Sequence, residues 1–580
     1  MVTLYINDRE VTVPEGTTIL NAAKEVGITI PTLCHMDLHS HAMDISNQNA
    51  SCRVCMVEQE GRDKMLPACS VAVWDGLRVR TDTPKVVKTR KMMIELLLSD
   101  HPTDCLVCFK NGHCELQTLA AENNIREIRY PGQHNVCKVD ASSLSLVRDM
   151  NKCVLCKRCE TVCNEIQTVG ALATVGRGFN TVVGTLFDLP MTGTSCTFCG
   201  QCVSVCPTGA LSGVPQNTEV WDALADPDKT VVVQTAPAVR VALGEAFGME
   251  AGTDVTGKMV TALKSLGFDY VYDTNFAADV TIVEEANEFV HRFKEGGVMP
   301  ILTSCCPSWV KFIEHNFGDM LDIPSSCKSP HEMFGSLAKS YLAERLGIDP
   351  DKLVVVSVMP CLAKKYESAR PELANEGRSD VDYVITTREL SYMIKESSQD
   401  FTSLEDSDFD DFMGESSGAG MIFGTAGGVL EATLRTAYEI LTGEELKKLD
   451  FTAVRGLDGI QEASIKIGDQ TVNVAKASGL GNARTLLERV RNKEKDYHVI
   501  EIMACPGGCI AGGGQPFIHE NSDVLQQRMQ AVYAIDKDKP VRQSHKNPSV
   551  VRLYQDFLGE PYGEKAQKLL HTHFVLRPRD

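Results

Sequence analysis

Cysteine carries the chemistry of this sequence. There are 22 in 580 residues, and they fall in groups. The densest group is CVLCKRCETVC followed by CTFCGQCVSVCP, which sets Cys153, Cys156, Cys159 and Cys163 ahead of Cys196, Cys199, Cys202 and Cys206. Both runs read C-x2-C-x2-C-x3-C. Three thiolates at that spacing wrap one face of an iron–sulfur cube, and the fourth reaches across to a neighbouring cube. The pattern assigns one 4Fe–4S cluster to Cys153, Cys156, Cys159 and Cys206, and another to Cys196, Cys199, Cys202 and Cys163. Zinc would call for two separated C-x2-C pairs rather than triplets. Asn164 stands where a proline often follows the first run.

Two more groups lie upstream. Cys34, Cys52, Cys55 and Cys69 approach the C-x4-C-x2-C…C signature of a plant-type 2Fe–2S site, but the first gap is 17 residues. Zinc is the alternative there. In HPTDCLVCFKNGHC, His101, Cys105, Cys108 and Cys114 offer four ligands. Read alone, they fit a Cys3His zinc site equally well. Between two iron–sulfur modules, a 4Fe–4S cluster with one histidine ligand is the better reading, and a neutral imidazole in place of a thiolate should raise its potential. His113 is a competing ligand with the look of a surface residue. Sixteen of the cysteines lie in the first 206 residues, as a series of redox centres without substrate chemistry.

The elements that must hold these centres can be read from patterning. TLYINDREVTVPEGTTILNAAKEVG is strand, turn, strand, helix, a β-grasp-like prelude to the first group. VVKTRKMMIELLLSD is a helix leading into His101. From about residue 228 strands and helices alternate, which means α/β architecture with mostly parallel sheets. VVVQT, YVYDT, PILTS, VVVSVM, YVITT and VIEIM are the strand candidates, and an amphipathic helix covers 282–295. Ligands in such sheets bind beyond the carboxyl ends of the strands, and the remaining cysteines sit there. Cys305 and Cys306 follow ILTS, Cys361 follows VVVSVMP, Cys505 and Cys509 follow VIEIMA, and Ala236-Pro237-Ala238 follows VVVQT. One buried metal site is the expectation. Cys137 and Cys327 are left over as buried structural thiols.

Length and composition frame this. At the usual domain size, 580 residues make roughly three to five domains. The expected division is a 2Fe–2S β-grasp domain over 1–80, a His/Cys3 cluster domain over 81–145, a two-cluster ferredoxin-like domain over 146–215, a large α/β domain over 225–540 and a short helical segment over 541–580. The net charge of −19 makes nucleic acid and anionic membrane surfaces poor partners. The N-terminus carries charges where a signal peptide would be apolar, and no apolar run is long enough to span a membrane. A cytoplasmic location, where cysteines stay reduced, is expected.

TSCCPSWV, MPCLAKK and MACPGGCIAGGGQP closely resemble the three signature motifs of the iron-only (FeFe) hydrogenases. The resemblance extends over nearly the whole chain. It implies reversible interconversion of H2 with protons and electrons at an H-cluster, a 4Fe–4S cube joined by a thiolate to a two-iron unit bearing CO, cyanide and a dithiolate. Cys306, Cys361, Cys505 and Cys509 would hold the cube, Cys509 as the bridge. Lys364 would serve a cyanide ligand with Pro237 and Ala238 alongside, Ala238 standing where the family often has serine. Met359 and Met503 would pack against the two-iron unit, or be plain core. A proton path Cys305, Glu285, Ser325, Glu288, Arg292 is implied; without the resemblance the Glu/Arg set would read as a solvated helix face.

VNVAKASGLGNARTLLERV imitates a dinucleotide fingerprint, but Arg484 replaces the third glycine. It reads as tight strand-to-helix packing, as does GTAGG at 424–428. With no flavin or nicotinamide site, a nicotinamide partner must be another subunit. The LLHTH ending resembles hydrogenase subunits of NAD(P)-linked, electron-bifurcating complexes, and the N-terminal half resembles the cluster-bearing subunit of complex-I-type dehydrogenases. The implied partners are a flavin- and NAD(P)-binding iron–sulfur subunit, a small 2Fe–2S subunit and ferredoxin. His571 and His573 are expected in a surface tail. A stand-alone ferredoxin-linked hydrogenase and a non-catalytic iron–sulfur carrier or assembly factor are the alternatives.

Overall fold

A computed structural model gives the fold and describes residues 1–38, 45–47, 50–518 and 521–577. Strands β1 (Val2–Ile6) and β2 (Arg9–Val13) form a hairpin turned by Asn7 and Asp8, both at positive φ. A two-residue hairpin turn needs that geometry, which Asn and Asp tolerate. Helix α1 (Ile19–Glu25) follows, capped by the Thr18 side chain. With β3 (Met56–Gln59), β4 (Met65–Pro67) and β5 (Arg78–Arg80) the sheet runs β2-β1-β5-β3-β4, β1 and β5 being parallel. Helix α2 (Pro84–Leu98) starts on a Thr83 cap with proline in its first turn and ends just before His101; α3 (Glu115–Glu122) begins after Cys114.

The next unit pairs β6 (Leu146–Arg148) with β9 (Leu211–Gly213), around an inner hairpin of β7 (Ala173–Val175) and β8 (Val182–Gly184). Short helices α4 (Arg158–Thr161) and α5 (Gln201–Val205) carry the third cysteine of each run. A π-helical turn, Val162–Ile166, continues α4 and holds Cys163 and Asn164, whose Nδ2 donates to Leu172 O at 3.1 Å.

The large α/β part has two sheets, not one. The first, β11-β10-β13-β14, is wholly parallel: β10 (Thr230–Thr235), β11 (Tyr270–Asp273), β13 (Leu353–Met359), β14 (Tyr383–Thr386). Every residue of β13 is buried, as a mostly apolar strand requires in a sheet covered on both faces, and its one polar residue, Ser357, accepts from Gln234 Nε2 at 2.8 Å. The second sheet runs β12-β17-β16-β15, from β12 (Ile301–Leu302), β15 (Ile460–Ile467), β16 (Gln470–Ser478) and β17 (Val499–Met503). The β15–β16 hairpin is antiparallel and was not among the expected strand pairs, because β15 alternates with mostly exposed and half-buried polar residues. Converging strand ends therefore come from two sheets: β10 and β13 from one, β12 and β17 from the other.

Between them runs α6 (Thr274–Glu295), longer than the 282–295 expected. It is buried on all sides for most of its length, as a central helix must be, and its carboxyl end stops at Gly296 (φ 76°). Helices α7 (Pro307–Asn316) and α9 (Ala363–Glu367) start just beyond Cys306 and Cys361; α8 (Pro330–Leu337) packs on α6. Helix α10 (Gly428–Thr442) also packs on α6. The C-terminal part comprises α12 (Asp523–Asp538), α13 (Pro548–Leu553) and α14 (Glu564–Leu570), with α11 (Leu480–Arg491) before β17. Arg435 on α10, fully buried, locks α12 in place through Asp536 at 2.9 Å while bonding Glu431 at 2.7 Å. Removing one partner from such a buried set costs about 3–5 kcal/mol.

The Glu/Arg set on α6, which patterning alone would read as a solvated face, is buried at Glu285 and Glu288. Two expectations change. Cys137 is half-buried rather than buried, its N–H donating to Asn151 Oδ1 at 2.8 Å. His571 is buried rather than part of a surface tail, although His573 is exposed. Of the two glycine-rich stretches, the second packs tightly, since a Cβ on Gly428 would meet Ile422 O at 1.8 Å, whereas Gly479 turns β16 into α11 through its positive φ of 90°, with its nearest neighbour 3.8 Å from a would-be Cβ.

Candidate active site and cluster sites

The ends of β10, β12, β13 and β17 close around one cavity. Cys306, Cys361, Cys505 and Cys509 line it together with Cys305. All five thiols are pushed up by burial, and all but Cys306 are pushed further by their neighbours among the five; Cys361 reaches about 12. Thiols crowded this way resist ionisation until a cation takes the place of their protons, which is the property of a cluster-binding set. Glycines let the loops close. A Cβ at Gly508 (φ 94°) would stand 2.5 Å from Ala426 N, and one at Gly512 2.1 Å from Pro360 O. The MACPGGCIAGGGQP glycines are thus backbone-approach positions.

Pro237, Met359, Met503 and Phe423 make the apolar wall. Ala238 is buried but not on the wall; its carbonyl accepts from Gln515 Nε2 at 2.8 Å. Lys364 lines the cavity and donates to Cys305 O (3.1 Å), Ser329 Oγ (2.9 Å) and Glu367 Oε2 (2.6 Å). Burial alone would lower its amine, but the Glu367 carboxylate outweighs that and raises it, so it stays charged. Glu367 also bonds His331 Nδ1 at 3.0 Å. Neither residue was singled out in the sequence. The AKKYE spacing that puts Lys364 and Glu367 one helical turn apart was the available signal.

On α6, Glu285 and Glu288 are both buried. Burial first, then the Glu288 charge, pushes Glu285 up to about 8, while Thr433 Oγ1 donates to it at 3.3 Å. Ser325 Oγ donates to Glu288 Oε2 at 2.7 Å, and Arg292 Nη2 to Glu288 Oε1 at 2.6 Å. Arg292 then reaches the carbonyls of Ile323 and Pro324, at 3.0 and 3.1 Å. The structure brings the five residues together in a row from the cavity outward. Cys327 lies beside this row, its thiol 3.8 Å from Glu288 Oε2.

Elsewhere, Cys34, Cys52, Cys55 and Cys69 are all buried, with Cys34 hydrogen-bonded to Cys52 and Cys69, and Cys55 to Cys69. His101, Cys105, Cys108 and Cys114 line one small cavity. The His101 Nδ1 atom is buried there with no hydrogen-bond partner among the described residues, and burial lowers the ring's pKa, which favours a neutral imidazole whose lone pair suits a metal. His113 is exposed. In the paired runs, Cys153, Cys156 and Cys159 all feel the Cys206 charge, and Cys196, Cys199 and Cys202 all feel Cys163, the neighbourhood that the expected exchange of fourth ligands needs. Cys199 also acts on Cys505, where Gly200 and Gly513 meet backbone to backbone.

Comparison with known proteins follows the same divisions. Residues 1–84 match a 2Fe-2S iron-sulfur cluster binding domain, and 90–129 the NADH-ubiquinone oxidoreductase-G iron-sulfur binding region. Residues 145–212 match the ferredoxin-like domain of NADH-quinone oxidoreductase subunit 3. Residues 229–513 match the C-terminal domain of the iron only hydrogenase large subunit, and 522–577 the iron hydrogenase small subunit. The NADP-reducing hydrogenase subunit HndD of Solidesulfovibrio fructosivorans is 55% identical over 100% of both chains. Iron hydrogenase 1 of Clostridium pasteurianum is 39% identical over 99% of this chain and 100% of its own. An apo FeFe-hydrogenase from Chlamydomonas reinhardtii superposes with a TM-score of 0.57 at 40% identity, over 63% of this chain and 99% of the other. Likeness that runs end to end, through the cluster domains as well as the cavity, places this chain in the iron-only (FeFe) hydrogenases, the enzymes that interconvert H2 with protons and electrons.

Proposed function

We propose that this chain is the hydrogen-activating subunit of an NADP-linked, multisubunit complex. The observation that carries this is the full-length identity of 55% with a subunit named as NADP-reducing. The matches of 90–129 and 145–212 to NADH-ubiquinone and NADH-quinone oxidoreductase regions support it, since those regions are named for enzymes that exchange electrons with NADH. The partners are a flavin- and NAD(P)-binding iron–sulfur subunit, a small 2Fe–2S subunit and ferredoxin, with electrons from H2 divided between nicotinamide and ferredoxin. Among the described residues no helix is long and apolar enough to cross a membrane, in keeping with a cytoplasmic complex. Native mass spectrometry of the purified protein tests the assembly. A lone chain that reduces ferredoxin with H2, with no flavin-bearing subunit attached, would overturn it.

Within the chain, Cys306, Cys361, Cys505 and Cys509 hold the H-cluster, which when bound supplies an open iron site and an amine base for splitting H2. Lys364 presents its ammonium to the two-iron part, and Pro237, Met359 and Met503 keep water away from it. One 2Fe–2S cluster sits on Cys34, Cys52, Cys55 and Cys69. Three 4Fe–4S clusters sit on His101 with Cys105, Cys108 and Cys114; on Cys153, Cys156, Cys159 and Cys206; and on Cys196, Cys199, Cys202 and Cys163. The Gly200–Gly513 contact makes the last set the one that exchanges electrons with the active site.

His101→Ala is expected to remove one 4Fe–4S signal from the electron paramagnetic resonance spectrum and leave the others and the H-cluster infrared bands in place. Unchanged spectra would assign that ligand role elsewhere.

Protons travel through the Cys305 thiol, Glu285, Ser325 and Glu288. Glu285 titrates near 8, so it is a proton donor at neutral pH and loses that proton above it. Proton reduction should therefore fall as pH rises through about 8. In Glu285→Gln that limb should vanish, with turnover about 10²–10⁴-fold lower throughout. A variant that keeps the alkaline limb would show that another group sets it.

A further inference from the structure

The guanidinium at the end of this row cannot carry a proton. Arginine stays protonated at any pH a protein survives, and it has no acceptor atom. A proton that reaches Glu288 needs a different acceptor, and the structure places one on the other side of that carboxylate.

His571 leaves the end of α14 and turns into the core. Its Nδ1 is 2.8 Å from Ser326 Oγ, and its Nε2 is 2.9 Å from Glu284 Oε2. Glu284 is fully buried; its Oε1 accepts from the Tyr554 hydroxyl and its Oε2 from Tyr562 N at 2.9 Å. Among the described residues, the only ion-pair partner of Glu284 is His571. A buried carboxylate without a cation is costly. An imidazole hydrogen-bonded to a buried carboxylate on one side and a hydroxyl on the other has the geometry to accept a proton. Ser326 ties the pair to the row, since its backbone N–H donates to both oxygens of Glu288 at 3.2 Å. A Glu288 oxygen, the Cys327 sulfur and a ring nitrogen of His571 all lie within 4.8 Å of one another.

The groups that face His571 are few. From α6 come Glu284 and Glu288, the latter paired with Arg292. The loop before α8 supplies Ser326 and Cys327, and the C-terminal segment supplies Tyr554 and Tyr562. The Tyr562 ring stands 5.4 Å from His571 and 5.4 Å from His291, a half-exposed residue of α6, so solvent is one layer away.

We propose that His571 and Glu284 form a proton-holding station that takes over from Glu288. The O–H bond of protonated Glu288 breaks and an N–H bond forms on the imidazole. Glu288 is left as a carboxylate paired with Arg292, and no electrons move. Arg292 then acts as a positioning residue that keeps Glu288 aligned. This inference rests on the proton route proposed above.

The test compares three variants of the holoenzyme, each checked for iron content and H-cluster infrared bands. His571→Gln keeps hydrogen-bonding groups on the side chain but cannot hold a proton. It is expected to slow H2 turnover at least about tenfold and to change its pH profile at full cluster loading. Glu284→Gln, which leaves the imidazole in place, should give the same change, and it carries the test if His571→Gln does not fold. Glu288→Gln separates the two readings. If it abolishes turnover while the loaded His571 or Glu284 variant keeps the parent rate and pH profile, the station is overturned and the route stands. If Glu288→Gln itself keeps full turnover, the route falls and the station with it.

Discussion

Cys305→Ala is expected to bind the full set of clusters and yet turn over H2 about 10²–10⁴-fold more slowly, the usual worth of a positioned proton carrier. The geometry sets up this separation of binding from turnover. Cys305 lines the cavity beside Cys306 but is outside the four-thiol set that the motif positions would use for the cube. Burial, Cys306 and then Glu285 all push its thiol upward, so it holds its proton and passes it on rather than resting as a thiolate. Alanine removes the cavity-lining thiol on which the Glu285 charge acts. Iron content and the CO and cyanide infrared bands report loading, and H2 evolution with a reduced viologen reports turnover. Near-parent turnover in a fully loaded variant would remove Cys305 from the route.

Cys509→Ala should have the opposite signature: no H2 activity at any pH, with the accessory clusters intact. A four-thiol cube site reduced to three loses its closure, and Cys509 is the ligand assigned to the bridge. The other centres depend on separate stretches of chain, Cys34 to Cys69, His101 to Cys114 and Cys153 to Cys206. Their signals should therefore survive in the paramagnetic resonance spectrum while the CO and cyanide bands disappear. Retained CO bands with retained activity would exclude the bridging role.

Local order was the most legible part of the sequence. The Asn7–Asp8 turn, the helix leading into His101 and the mostly apolar β13 follow from residue-level preferences that tertiary packing does not override, although the helix begins two residues earlier than read, on Thr83-Pro84. The cysteine runs were legible for a related reason, since cluster ligation fixes their spacing over a few residues. What escaped depends on approach between distant segments. Nothing in IQEASIKI marks β15 as the partner of β16, because its polar half faces outward. The strand ends could be read one at a time, but not their division between two sheets. Lys364 was visible as a lysine, whereas its neutralisation by Glu367 needed α9 to form. His571 was misplaced because a terminal LLHTH looks solvated; its burial comes from Glu284, a residue 287 positions away that needs a partner. Ala238 was assigned by its neighbour Pro237, yet successive residues point apart, and only Pro237 faces the cavity.

The placement of His571 has a consequence for synthesis. The accessory-cluster domains lie at the start of the chain and draw on local segments, so they can fold and receive metal while the ribosome is still at work. The cavity draws on Pro237 through Cys509, a span of long-range pairings that close slowly. The pair at Glu284 cannot form until α14 emerges and brings His571 with it. With His571 in the proposed role, hydrogen turnover waits on α14, and a chain released before it would have its electron-carrying half in place and an unfinished proton route.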